Sequence, residues 1–223
     1  MRPQILSKKT KTYATKPFFF MSSNEKHNII GVVIQALTFQ EHDRIVSIFT
    51  AEEGIAKLVV KGAMLPKKGQ GSSTTPLTLI EAICTKGRSE LYSCRELSVL
   101  ESNVKLRQNL KTLEAACDMV QVIASTQFPG KASPELYALF TMFLSKLPSA
   151  PHPTAVSTSF RLKTLRYEGL LDLSILEEGV FNAIERELLK ELAFGRDFNL
   201  LANLAIDKLF EEKVKNLFQQ SVF

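Results

Sequence analysis

The sequence predicts an α+β protein, a small five-stranded β-barrel followed by an all-α helical domain. Three observations carry this reading. Residues 28–101 alternate apolar and polar between turns, the apolar period lengthens to three or four after Ser102, and no apolar run nears the roughly 20 residues that cross a bilayer. With 223 residues and 45% hydrophobic composition, each half has chain enough to bury a core.

The strands follow in order. Residues 29–37 are rich in β-branched side chains, and residues 44–50 carry Ile45, Ile48 and Phe49 into a turn at Glu53-Gly54. Leu58, Val59 and Val60 mark a third strand, over 55–60. A polar loop, Pro66-Lys67-Lys68-Gly69-Gln70-Gly71-Ser72-Ser73, leads to strands over 77–84 and 91–100, and Lys86-Gly87-Arg88-Ser89 forms the hairpin turn between them. Five short strands in about 75 residues fit the OB-fold, and they fit an SH3-like barrel equally well.

The helical half opens with Leu106, Leu110, Leu113, Cys117, Val120 and Ala124, spaced as one apolar stripe. Ser133-Pro134-Glu135 reads as a helix start, with a capping hydroxyl, a first-turn proline and an acid at the positive dipole end. Tyr137, Phe140, Phe143, Leu144 and Leu147 supply that helix's buried face. Residues 148–153, with three prolines, read as a linker. Phe160, Leu162, Leu165 and Tyr167 predict a third helix ending at Gly169. Two more are expected over 180–194 and 200–218, parted by Gly195-Arg196-Asp197.

The net charge of +5 is unevenly placed. Arg2, Lys8, Lys9, Lys11 and Lys16 stand in the first 20 residues without an acid, and the remainder balances 23 bases against 23 acids. That leader reads as a basic DNA-binding arm, a targeting peptide, or sequence upstream of a start at Met21. Disorder or the later start is favoured, so residues 1–27 are expected to be a basic disordered leader, 28–102 the barrel and 103–223 the helical domain.

Enzymatic signatures are lacking. His27, His42 and His152 lie far apart, and no GxSxG, Walker A, GxGxxG or HExxH motif occurs. Glu41-His42-Asp43 reads as a solvated turn, because neighbours on a strand face opposite ways. Cys84, Cys94 and Cys117 form no CxxC pair. They read as small core residues in a reducing cytoplasm, with no metal and no cofactor expected.

The local charge is more telling. From Lys57 to Arg95 the chain carries Lys57, Lys61, Lys67, Lys68, Lys86, Arg88 and Arg95 against only Glu81 and Glu90. Such a surface neutralises phosphates, and Phe39 and Tyr92 are candidate stacking platforms for bases. Ordinary solubilising loop lysines would give the same run of charge.

Several pieces in order resemble the N-terminal domain of the RecO recombination mediators. They are Ile30-Gly31-Val32-Val33-Ile34, Glu41-His42-Asp43-Arg44-Ile45-Val46-Ser47-Ile48-Phe49-Thr50, Glu53-Gly54, Val60-Lys61-Gly62-Ala63, Pro76-Leu77-Thr78-Leu79-Ile80-Glu81 and Leu91-Tyr92-Ser93. The segment from Phe160 to Gly169 is similar to the family's helix before a zinc-binding segment. The resemblance implies an OB-fold and a non-enzymatic protein of the RecFOR pathway. Such a protein anneals single-stranded DNA, engages the C-terminal tail of single-strand-binding protein, and with RecR helps load RecA. It makes Arg44 and Lys61 DNA-contact candidates, while Lys57, Lys67, Lys68, Lys86 and Arg88 rest on charge and location. For the partner tail, Arg161, Lys163 and Arg166 beside Phe160 and Leu165 are expected to rim an apolar pocket. Many members carry a four-cysteine zinc module, and here only Cys117 lies beyond residue 102, so a short form lacking the module is expected. An RNA-binding barrel and a pure scaffold are the competing classes.

Overall fold

A computed structural model describes residues 25–65, 71, 73–86, 90–171 and 180–223. Five strands, β1 (Lys26–Phe39), β2 (Asp43–Thr50), β3 (Gly54–Val60), β4 (Leu79–Lys86) and β5 (Tyr92–Glu101), close into a barrel in the order β1-β2-β3-β5-β4. Closure depends on β1, which pairs β4 through Lys26–Val32 and then β2 through Val32–Phe39. An irregularity between Val33 and Gln35 bends the strand between its two partners. The parallel β3–β5 contact, Leu58 with Tyr92 and Val59 with Ser93, seals the last gap. This is the OB-fold order, which removes the SH3-like alternative.

Alternation gives the barrel two working faces. Ile29, Val33, Val46, Ile48, Leu58, Val60, Ile80 and Ala82 fill its interior. Val32, Ile34, Phe49 and Leu77 point outward into a second core shared with the helices. The Phe49 ring lies edge-on 5.7 Å from Tyr137 and 5.9 Å from Phe140, so burying that face docks the two halves together. A polar clamp adds to it. The β2–β3 turn meets the 128–133 loop through Gly130 N to Glu53 O at 2.8 Å, Ser133 N to Ala51 O at 2.9 Å and Ile55 N to Phe128 O at 3.3 Å.

The helices are α1 (Leu110–Thr126), α2 (Pro134–Lys146), α3 (Pro153–Tyr167), α4 (Ala183–Phe194), α5 (Phe198–Ala202) and α6 (Lys208–Val222). α3 is the central one, buried on almost every side from Ala155 to Leu162. Its Ser/Thr-rich start lies ahead of the residues, Phe160 to Tyr167, from which the sequence predicts this helix. Small side chains let it sit among neighbours, and Ser159 donates to the Leu192 carbonyl at 2.7 Å. Asn182 and Glu185 form a reciprocal capping box that starts α4, and the Asp207 carboxylate accepts from Phe210 N at 2.7 Å to start α6.

Several expectations are corrected. α1 buries Ala115, Ala116, Met119, Val122 and Ile123, and leaves Leu110 and Cys117 exposed; the helix is apolar on two sides, and packing against α3 selects the face. Leu106 precedes α1, in a 3-10 turn over Val104–Arg107. Of the three cysteines only Cys84 is buried, Cys94 being half-buried. Ser133 does not cap α2; its hydroxyl donates instead to Gln127 Oε1 at 2.7 Å. Residues 148–153 are no linker, since Leu147–Ser149 is a 3-10 turn and Pro153 is the first residue of α3. Residues 200–218 divide into α5 and α6, separated at 203–207. The leader up to residue 24 lies outside the described residues.

Candidate nucleic-acid interface

In an OB-fold, ligands lie on the outer β2–β3 face between the β1–β2 and β4–β5 loops. Register places Ile45 opposite Val59, Ser47 opposite Lys57 and Phe49 opposite Ile55 on that face. The helical half covers its Phe49–Ile55 end. What stays open is the other end, where Lys57 is exposed and Ile45 and Val59 are half-buried.

Lys61 is exposed just past the end of β3, four residues and about 13 Å along the chain from Lys57. Phe39, 37% exposed, ends β1 opposite Asp43. The Asp43 carboxylate accepts from Gly62 N at 2.7 Å, and Met64 N donates to His42 O at 3.0 Å. These bonds gather Phe39, His42, Lys61 and Met64 at one barrel end, a half-apolar rim with a cation beside it.

Arg44 plays another part. Its Nη1 donates to Thr74 Oγ1 at 2.8 Å and to Gly71 O at 3.3 Å, anchoring the segment that follows the lysine loop. Lys67, Lys68 and Arg88 lie outside the described residues. Lys86 is exposed and shares a cleft of about 410 Å³ with Lys57, Glu52, Glu53 and Glu90. Three acids in that cleft offset its two lysines.

Tyr92 is corrected as a stacking platform. Its position on β5 turns the ring inward, leaving it 3% exposed. Its hydroxyl donates to Glu53 Oε2 at 2.5 Å, its ring meets His27 edge-on at 5.5 Å, and Lys86 Nζ sits 4.9 Å from the ring centre. No face is left for a base. Burial, with the Glu53 hydrogen bond second, holds the phenol above its ordinary range.

The three helical cations do not share a pocket. Arg161 is 5% exposed, its Nη2 lies 3.7 Å from Asp118 Oδ2, and it lines a cleft of about 340 Å³ between α1 and α6 with Lys215 and Phe218. Lys163 and Arg166 face the other way, into a cleft of about 430 Å³ with Leu136, Leu139 and Tyr167. Both also serve the end of α4, where Lys163 Nζ donates to Gly195 O at 2.5 Å and Arg166 lies 4.9 Å from the Phe194 ring. Phe160 and Leu165, expected to floor one joint pocket, are fully buried in the core.

Sequence reasoning missed that Glu52 and Glu53 join Glu90 around Lys57 and Lys86, and that the 129–130 backbone closes their cleft. No local signal joins residues so far apart in the chain. Among the described residues no group of three or more His, Cys, Asp or Glu side chains is placed to hold a metal ion, and no helix is long and apolar enough to cross a membrane.

Known proteins resemble this chain chiefly through its barrel. A family model described as Recombination protein O N terminal matches residues 21–103. The DNA repair protein RecO of Chlamydia pneumoniae is 27% identical over 146 residues, 66% of this chain and 58% of that protein. The one from Chlamydia muridarum is 42% identical over 69 residues, 31% of this chain and 30% of that protein. The one from Desulfitobacterium hafniense is 30% identical over 139 residues, 62% of this chain and 50% of that protein. The chain thus spans less than two thirds of the length of the relatives it matches.

Proposed function

We propose, from the match of residues 21–103 to the recombination protein O family model, that the chain is a member of that family and a non-enzymatic recombination mediator in DNA repair. It binds single-stranded DNA, anneals complementary strands, and with RecR helps load RecA on DNA coated by single-strand-binding protein. Its place of action is the cytoplasm. The observation that carries this reading is the open end of the OB face, where Lys57 and Lys61 stand exposed and Phe39 offers a partly exposed ring. Cations along that strand neutralise phosphates and an aromatic at the rim stacks a base, a combination with little sequence preference. Arg44 supports the interface by anchoring Gly71 and Thr74, just past the lysine loop in sequence. The partner tail, acidic and ending in an aromatic, docks beside α2 and α3, where Leu136 and Leu139 lie next to Lys163 and Arg166.

The test is annealing of complementary strands precoated with the cognate single-strand-binding protein. Fast annealing that is lost on removing that protein's acidic tail is the expected result. DNA binding that does not weaken with rising salt, or absence of both binding and annealing, overturns the proposal.

A further inference from the structure

Independently of any DNA contact, the barrel holds two cysteines in direct cross-strand register. Cys84 on β4 pairs with Cys94 on β5, just past an irregularity in the ladder between Ile83 and Cys84. Both side chains belong to the barrel interior, Cys84 with no exposed surface and Cys94 half-buried against the same core. Directly opposed residues in an antiparallel ladder have Cα atoms about 4.5–5.5 Å apart, inside the range a disulfide spans. The Cys94 thiol donates to the Glu96 carbonyl oxygen at 3.3 Å.

We propose that Cys84 and Cys94 form a reversible intrachain disulfide by exchange with a small-molecule disulfide such as oxidised glutathione, so that the β4–β5 hairpin is a redox-sensitive element. Position assigns the roles. Cys94 is the thiol that solvent reaches, and the hydrogen bond from Cys84 holds it below its ordinary range, whereas hydrogen bonding and burial push Cys84 far up. Cys94 therefore attacks as thiolate, forming a mixed disulfide and expelling one glutathione thiolate, which takes up the proton Cys94 gave up. Cys84 then loses its proton and attacks Cys94 Sγ, expelling the second glutathione thiolate, which takes that proton. Two protein thiols are oxidised and one glutathione disulfide is reduced to two glutathiones. The bond staples the hairpin two residues from Lys86 and two from Tyr92.

The experiment uses the whole reduced chain in glutathione buffers of graded potential, quenched with acid, alkylated and digested without reductant. Exposed Cys117 on α1 serves as an internal control for modification by glutathione. The expected product is a peptide pair joined through Cys84 and Cys94, lacking two hydrogen atoms, with a rise in Tm of about 5 °C that dithiothreitol reverses. Cys84→Ser should retain glutathione on Cys94 as a stable mixed disulfide. Cys94→Ser, at the half-exposed position, should form no disulfide within the barrel. The comparison of reduced with oxidised unsubstituted chain needs no variant at all. Glutathione persisting on Cys94 in the unsubstituted chain overturns the proposal. So does cross-linking through Cys117, or a barrel pair still reduced where Cys117 is fully modified.

Discussion

Replacing Gly54 by Ala should unlock the junction between the barrel and the helices. Gly54 has φ +63°, and an added Cβ would lie 2.3 Å from the Phe128 carbonyl oxygen and 2.6 Å from that of Lys131. A non-glycine residue in the left-handed region costs about 1 kcal/mol. The clash is with backbone, so the 128–131 loop has to move. Three backbone hydrogen bonds, Gly130 N to Glu53 O, Ser133 N to Ala51 O and Ile55 N to Phe128 O, depend on its present position. At about 1 kcal/mol each they bring the expected loss to about 4 kcal/mol, or about 10 °C in Tm for a chain of this size. Gly130→Ala is the control: its φ is +78° with nothing within 4 Å of the new Cβ, so it carries the strain alone, about 1 kcal/mol. The chain has no tryptophan, so urea unfolding is best followed by far-ultraviolet circular dichroism. A difference between the two variants of less than about 1 kcal/mol would refute the clamp.

Arg161→Ala should cost about 2 kcal/mol, below the usual figure for a broken buried pair because Lys215 Nζ still lies 3.8 Å from Asp118. Arg161→Met, which keeps the buried stem, should lose about half of that in urea unfolding; equal losses would show that charge pairing alone matters. Burial holds the phenols of Tyr92 and Tyr137 above their ordinary range. Their contribution is therefore complete below the unfolded value of about 10 and lost as pH rises through the folded values, so stability should fall in alkali, less steeply in Tyr92→Phe. Lys57→Ala and Lys61→Ala should each flatten the salt dependence of single-stranded DNA affinity by about 0.7 in log–log slope. Phe39→Ala should weaken binding by about 1–3 kcal/mol without changing that slope, and a changed slope would argue against stacking.

How far the sequence could be read follows from the range of the forces involved. Strand alternation is local, so all five strands, the turn at Gly54 and the exposure of Lys57 on an outward register position are legible in residues a few places apart. The Phe140–Phe143–Leu144 face of α2 is legible for the same reason, because its largest apolar side chains recur three and four residues apart. α1 is apolar on two sides, and nothing within it says which one meets α3. The start of α3 is rich in Ser and Thr, a composition typical of loops, yet neighbours on all sides make it the centre of the domain.

The sequence by itself determined the kind of each half, their order along the chain and the family that the barrel resembles. Tertiary structure alone decided which side chains remain available to a partner. Tyr92 and Arg161 look like surface groups in a linear reading; pairing with Glu53 and with Asp118, 39 and 43 residues away, withdraws both from solvent. The physical reason is that a buried polar group must meet its partner wherever the fold brings one, and that meeting leaves no trace in local spacing. Cys84 and Cys94 obey the same logic, since ten residues of separation in the chain become direct opposition only once the β4–β5 register is set.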